Sequence, residues 1–502
     1  MNEALRRTGL AHVLSISGLH MALVAATVMG TVRVGMALVP GLASRWPVKK
    51  LAAGVALAAT ALYLAVSGVA VAAERSFVML AVMLVAVMVD RAALTMRSLA
   101  IASLIILARA PHEAMGPSLQ MSFAATAALI GAYGIWAERV GTRADRPAAG
   151  GPSLARRTVR AFARHAGGLA LTTLIAGTAT TIFAVHHFER VAPLSLPANL
   201  VAMPIVSMVV MPAAVTALVA MPLGLDGLPL AVMGKGLTAM LAVAGWFSDL
   251  TPLDAAGPAP AGAVALFAAA LVAATVFAGR LRLLAVPLVA AALAWLALRT
   301  TPDILVTEDA RLVALRLADG RLAVNRSRPP AFALENWQRT FLASGVARPI
   351  RRATTDLPPN DARLSGAGTA ASGFACSDGL CLGRHPSGEL IAHAESLGAA
   401  SEACGRATLL VVVDATPAAA AACAGSATRV ITLHDLARLG SAAIRIVPGT
   451  PSSVSVTFAL AEPYRAWHRH RAFSRPARGL PEPRRKPSPS SDGSGPPIGP
   501  GP

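Results

Sequence analysis

Charge is scarce in this chain. Asp, Glu, Lys and Arg supply 14% of the 502 residues, where a soluble domain carries about 25%, and 55% of the residues are apolar. That balance excludes a single ordinary globular domain and suits a chain held largely in a bilayer. Acid is scarcer than base, 26 residues against 45, for a formal net charge of +19. A surplus of this sign fits nucleic-acid contact and fits equally the Lys/Arg bias of cytoplasmic loops, so it decides little alone. Cysteine is confined to Cys376, Cys381, Cys404 and Cys423. Disulfide pairing there requires an oxidising compartment, and the competing use of four thiols is a zinc site. No GxxxxGK[ST] phosphate loop occurs, so energy from ATP would have to arrive through another protein. MNEALRR runs directly into an apolar segment too long for a cleaved signal, and none is expected.

Apolar residues concentrate before 300 and thin out afterwards. A hydrocarbon core of roughly 30 Å needs about 20 apolar residues per helix, and this ruler gives about ten spans: 10–30, 51–70, 76–90, 98–110, 118–136, 166–185, 195–222, 228–248, 261–279 and 281–299. Treated as true crossings, they leave sixteen basic residues on one side, namely Arg33, Arg45, Lys49, Lys50, Arg91, Arg97, seven arginines between 139 and 164, Lys235, Arg280 and Arg282. The other side holds five: Arg6, Arg7, Arg75, Arg109 and Arg190. The positive-inside rule makes the first set cytoplasmic. Ten crossings then put both the start of the chain and everything after 300 in the periplasm, in accord with the cysteines. The Gly/Pro/Arg-rich 141–165 reads as a cytoplasmic linker, with its arginines a topology anchor or contacts for emerging phosphates.

The first span, GLAHVLSISGLHMALVAATVMG at 9–30, carries unusual polar weight. On one helix His12, Ile16 and His20 fall four apart, stacking both imidazoles on one stripe with Ser15 and Ser17 beside it. Polar groups in a span face a protein interior or a water-filled path. Two readings stand: histidines satisfied by neighbouring helices, or the lining of a route for a polar substrate. Gln120 and Asn199 add hydrogen-bonding capacity to the fifth and seventh spans. Arg75, at the start of the third, reads as a phosphate contact or as an interfacial snorkelling residue. Five prolines, Pro193, Pro197, Pro204, Pro212 and Pro222, predict a broken helix over 193–222.

The segments GLAHVLSISGLHMALV, SGVAVAAERSFVML at 67–80, SLQMSFAATAAL at 118–129 and HHFERVAPLSLPANLVAMPIVSMVVMPA at 186–213 resemble, in order, the signature of the ComEC family, the inner-membrane channel of competence DNA uptake. The resemblance implies a polytopic helical membrane domain over 1–300 that imports single-stranded DNA, with a periplasmic DNA receptor delivering the strand and a cytoplasmic helicase-type motor receiving it. His12, Ser15, Ser17, His20, Arg75, Gln120 and Asn199 are then the channel-lining or DNA-contacting candidates. Family members usually carry further N-terminal helices and a small OB-type domain, so a truncated start, and with it a nonfunctional remnant, is one expectation. A secondary transporter of a small polar solute is another. A membrane hydrolase built on His12, Ser15 and His20 lacks a nearby carboxylate to orient an imidazole.

Residues 301–463 alternate in short segments, ILVTE, RLVALRL, an Asp319-Gly320 turn, RLAVNR, then TLLVVVDA, RVITLH and AIRIVP, with helical pieces around 333–343, 397–405 and 416–424. These predict a mixed α/β domain opened by a hairpin. In the family this position commonly holds a metallo-β-lactamase-like nuclease domain whose ligands form an HxHxDH motif. Here His385, His393 and His434 are isolated, and His468 and His470 precede Ala472 and Phe473 where Asp and His are needed. A two-metal hydrolase requires clustered ligands, so a degenerate relative or a replacement is expected, without metal, cofactor or enzymatic activity. Among the cysteines, 376 with 381 is the favoured local bridge. From 464 the Arg/Pro/Gly/Ser-rich tail is expected to be disordered.

Overall fold

The computed structural model describes residues 2–13, 18–39, 41–140, 154–251, 254–351, 373–447, 454–460 and 465–481. It divides the chain into Met1–Arg299 and Thr300–Pro502.

The first unit is all helical. It comprises α1 (Asn2–Arg7), α2 (Gly18–Leu38), the one-turn α3 (Leu42–Arg45), α4 (Val48–Val66), α5 (Val71–Met88), α6 (Met96–Arg109), α7 (Pro117–Val140), α8 (Leu154–Phe188), α9 (Ser195–Ile205), α10 (Met211–Ala220), α11 (Gly227–Leu250), α12 (Ala261–Val276) and α13 (Ala285–Ala297). Among the described residues, eight helical runs are long and apolar enough to cross a membrane: α2, α4, α5, Pro117–Glu138 in α7, Ala166–Phe188 in α8, Ser195–Leu223, α11 and Gly279–Ala297. The expected fourth and ninth spans are the shorter α6 and α12, of 14 and 16 residues.

Ion pairs and one hydrogen bond tie the ends of both short helices to their longer neighbours. Arg109, closing α6, meets Glu74 in the first turn of α5 at 2.8 Å. At the opposite end Lys50 of α4 meets Asp90, just past α5, at 2.5 Å. Before α12, the Ala259 carbonyl lies 2.8 Å from His186 Nδ1 in the last turn of α8. After α12, Arg282 lies 3.4 Å from Glu138 near the end of α7.

Two expectations about local structure change. The run 9–30 is not one helix, because α1 ends in a Schellman motif: Gly9 takes φ +72°, Leu10 N donates to the Leu5 carbonyl at 2.8 Å and Gly9 N to that of Arg6 at 3.2 Å. Leu5 and Leu10, both fully buried, close the accompanying apolar contact. The proline-rich span, expected to break, continues from Ser195 to Leu223. A π turn over Val206–Val210 between Pro204 and Pro212 absorbs the missing donors. Gly236 of α11 packs against it so closely that a Cβ there would stand 2.8 Å from a Val210 methyl.

The second unit has four layers. One six-stranded sheet has the order β12-β11-β1-β2-β3-β4, built from β1 (Ile304–Val306), β2 (Val313–Arg316), β3 (Leu322–Val324), β4 (Val346–Ala347), β11 (Ala442–Ile446) and β12 (Val454–Phe458). The other has the order β10-β9-β8-β7-β6-β5, from β5 (Ile350–Arg351), β6 (Ala375–Ser377), β7 (Leu380–Arg384), β8 (Leu390–Ala394), β9 (Leu409–Val412) and β10 (Arg429–Thr432). Ile304, Val313, Leu315, Phe374, Ile391, Val411 and Ile444 fill the space between the sheets. Helix α14 (Ala331–Thr340) covers the outer face of the first sheet through Leu334 and Trp337. Helices α15 (Leu397–Ala403) and α16 (Pro417–Ala421) cover that of the second. Helix α17 (Leu433–Leu439) follows β10 behind a capping box of Thr432 and Asp435. The hairpin at Asp319-Gly320 is β2–β3, with Gly320 at φ +78°.

Of the tail expected to lack structure from 464, residues 465–481 hold two 3₁₀ turns, Ala466–Phe473 and Pro476–Arg478, and 482–502 lie outside the described residues. Arg471 pairs with Glu308 at 2.8 Å, Ala477 is buried, and Gly479 approaches the Ala415 carbonyl. A few apolar and charged anchors were enough to order a segment whose composition is otherwise solvating.

Cys376 and Cys381 face each other across β6–β7 and are bonded, and Cys404 is bonded to Cys423, joining α15 to the turn after α16. The second bridge spans 19 residues and the first 5. Replacing Cys404 and Cys423 with serine is expected to cost about 3 kcal/mol, and the 376–381 pair about 2 kcal/mol, because the longer loop restricts the unfolded chain more. Chemical unfolding of the two paired variants checks the order.

Candidate functional site

A cluster of interacting polar side chains lies at one end of the helical unit, where α5 and α7 begin and α6 and α8 finish. Arg75, in the second turn of α5, is 6% exposed. Its Nη2 donates to the Ser118 hydroxyl, while Nη1 lies 3.9 Å from Glu113 Oε2. Among the described residues, its Nε and Nη1 make no hydrogen bond. Glu113 belongs to the 3₁₀ turn Pro111–Met115, which Gly116 closes before Pro117 opens α7. Proline at that first helical position needs no donor there, which fixes the helix start at the motif serine.

Gln120, one turn on, ties two more elements in. Its Nε2 donates to the Ala114 carbonyl at 3.1 Å, and its Oε1 lies 2.9 Å from His187 Nε2 at the end of α8. His187 stands edge-on to His186, ring centroids 5.0 Å apart. Beyond α8, Arg190 pairs with Glu3 of α1 and, at 3.6 Å, with Asp254. Arg7 donates to the Thr251 carbonyl at 3.2 Å. These hydrogen bonds and ion pairs tie α1, α5, α7, α8 and the segment before α12 together at one end of the unit.

The sequence-derived candidates divide. Arg75 and Gln120 belong to this cluster. His12 does not share a helix with His20: it lies in the 3₁₀ turn Ala11–Val13, exposed, with Nδ1 2.8 Å from the Gly9 carbonyl, and the single imidazole stripe is lost with the helix. His20 is half-buried in the first turn of α2. Ser15 and Ser17 lie outside the described residues. Asn199 is buried in α9. Glu113, Ser118, His186, His187 and Arg190 were not singled out, although four of them sit inside or beside the motif segments 118–129 and 186–213. The Gly-Pro pair before Ser118 was the available signal, since it marks a helix start where orphan amides collect.

The second unit holds its histidines apart. Among the described residues no group of three or more His, Cys, Asp or Glu side chains is placed to bind a metal ion. His385 sits 3.7 Å from Asp303 and its Nδ1 2.6 Å from the Ser387 hydroxyl. His434 lies beside Asp435. His393 points between the sheets, 1% exposed, with Nε2 3.0 Å from the Ala310 carbonyl. Burial pushes the His393 imidazole below its ordinary value, against the opposing pull of that carbonyl. The unfolded chain then takes up the proton first. The stability His393 contributes is complete above about pH 6.5 and is lost progressively as pH falls below it. Amide exchange in β8, corrected for intrinsic rate, is expected to quicken as pH falls from about 7.5 to about 5.5, and less so in a His393→Gln variant.

A family model described as "Competence protein" matches residues 1–280. No curated protein and no solved structure matches the chain.

Proposed function

The chain belongs to the ComEC-type family of competence proteins, and on that premise we propose that its helical unit is the inner-membrane conduit through which one strand of DNA enters the cell during transformation. Family membership supports a role in competence with DNA and the membrane as partners. The observation that carries the finer reading is the cluster of buried Arg75 with the half-buried Ser118, Gln120 and His187 at one end of a polytopic helical unit. Backbone charge rather than base identity is what such groups recognise, so little sequence preference follows.

Sidedness follows from charge. The mouth holding Arg75, Arg109 and Arg190 has its cations paired with acids, and the basic surplus lies at the other end, which is the cytoplasmic one. The second unit then faces the periplasm, where its two disulfides are stable. A periplasmic receptor delivers the strand, and a cytoplasmic helicase-type motor supplies the work that a chain without a phosphate loop does not. The second unit, with isolated histidines where the family nuclease has a ligand motif, serves as a noncatalytic relative or replacement of the metallo-β-lactamase-like domain.

Complementation tests the proposal. In a strain lacking this chain, restoring it is expected to return labelled DNA to a nuclease-protected pool. Gln120→Leu combined with His187→Leu is expected to reduce that signal about tenfold, the equivalent of about 1.4 kcal/mol at the limiting step. Accumulation of a small solute with no DNA signal would instead identify a secondary transporter.

A further inference from the structure

Arg75 is a buried guanidinium whose donors are mostly unspent. It is 6% exposed, one of its three nitrogens bonds the Ser118 hydroxyl, and the other two make no hydrogen bond among the described residues. It is aimed at the N-terminus of α7, a helix of 24 residues. Pro117 brings no N–H and the Gln120 amide donates to the Gly116 carbonyl at 3.2 Å, so Ser118 and Leu119 supply the amides without an intrahelical acceptor, and the helix dipole favours an anion there. A carboxylate already stands at the place. Glu113 Oε2 lies 3.9 Å from Arg75 Nη1, too far for a hydrogen bond, and only 3.2 Å from where a Cβ on Gly116 would be. Gly116, with no side chain, leaves the room that Glu113 fills.

We propose that Arg75, Ser118 and the first turn of α7 form a phosphodiester-binding site which the Glu113 carboxylate occupies when no ligand is present. A phosphodiester carries one charge, as a carboxylate does, and its tetrahedral oxygens reach a guanidinium and helix amides together, whereas Glu113 is held out of hydrogen-bond range. The incoming phosphate replaces Glu113, which swings outward on its short 3₁₀ turn. The mouth therefore admits a ligand that competes for Arg75 and stays latched against solutes without such an anion. This assignment rests on the conduit reading for its source of phosphodiester, the DNA backbone; a phospholipid headgroup offers the same chemistry.

The test uses the full chain in nanodiscs, with fluorescence anisotropy of a short labelled single-stranded oligodeoxynucleotide in one arm. In the other, native mass spectrometry measures retention of phosphatidylglycerol over phosphatidylcholine. Glu113→Gln is expected to bind the oligonucleotide about tenfold tighter than the parent, Arg75→Gln to cancel that gain in the double variant, and Ser118→Ala to weaken binding about threefold. Ser118→Ala and Glu113→Gln keep the test decisive if Arg75→Gln does not assemble, as its melting temperature will report. If the oligonucleotide binds all variants alike and lipid retention is also unchanged, the site is overturned while the conduit stands. If no variant binds the oligonucleotide but phosphatidylglycerol retention follows the stated order, the site stands with lipid as its source and the conduit reading fails.

Discussion

Replacing Arg190 with methionine is expected to destabilise the helical unit by about 3 kcal/mol, a loss that thermal unfolding in detergent, followed through its tryptophans, will read. Arg190 is largely enclosed, its side chain 14% exposed, between Glu3 and Asp254. The backbone around it is locked as well. Val191 N donates to the Asp254 carbonyl and Ala256 N to that of Glu189, both at 2.9 Å, and Glu189 is held at φ +54°. Methionine fills much of the same volume but leaves two carboxylates facing each other in a poorly solvated place, and their repulsion adds to the lost pairing. Glu3, whose side chain is 49% exposed, should matter far less: Glu3→Gln is expected to cost less than about 1 kcal/mol. Equal losses from the two variants would mean that packing around the α1 end, and not the charge at Arg190, holds this end of the unit together.

Phe374→Ala is expected to cost the second unit about 3–5 kcal/mol, the range for deleting a fully enclosed aromatic ring. Phe374 is inaccessible to solvent and sits in the apolar layer between the two sheets. Its ring lies so close to Gly383 of β7 that a Cβ there would stand 2.8 Å from it, and its carbonyl accepts from Ile350 N at 2.8 Å. Removing the ring leaves a cavity lined by strands that cannot close over it, since their registers are fixed by pairing on both sides. Amide exchange in β7, β8 and β9 measures the loss. A change under about 1 kcal/mol would show that the sheets collapse onto each other, contrary to this picture. Gly383→Ala tests the same contact from the other side, by overpacking it.

The helical unit was legible because a bilayer allows few alternatives. Apolar runs of the right length have to be helices there, and among the described residues eight helical runs are long and apolar enough to cross, with the expected fourth and ninth spans present as shorter helices. The hairpin at Asp319-Gly320 was legible for a similar reason, since its turn residues admit few backbones. Strands β6, β7 and β8 were not, because Ala, Gly, Cys and His in them carry little alternation, and their pairing comes from neighbours distant in sequence. Reading 9–30 as one helix failed at Gly9, where a left-handed residue costs nothing and a Leu5–Leu10 contact stabilises the stop.

By itself the sequence determined the family, the membrane-embedded class and the place where an α/β unit begins, since each rests on composition or motif order within one stretch of chain. Only the tertiary structure decided which polar groups meet. The approach of Arg75 to Glu113 and Ser118, of Gln120 to His187, and of Arg190 to Glu3 and Asp254 joins residues 38 to 187 positions apart. Such separations are set by how helices pack, and no local pattern in the chain encodes them.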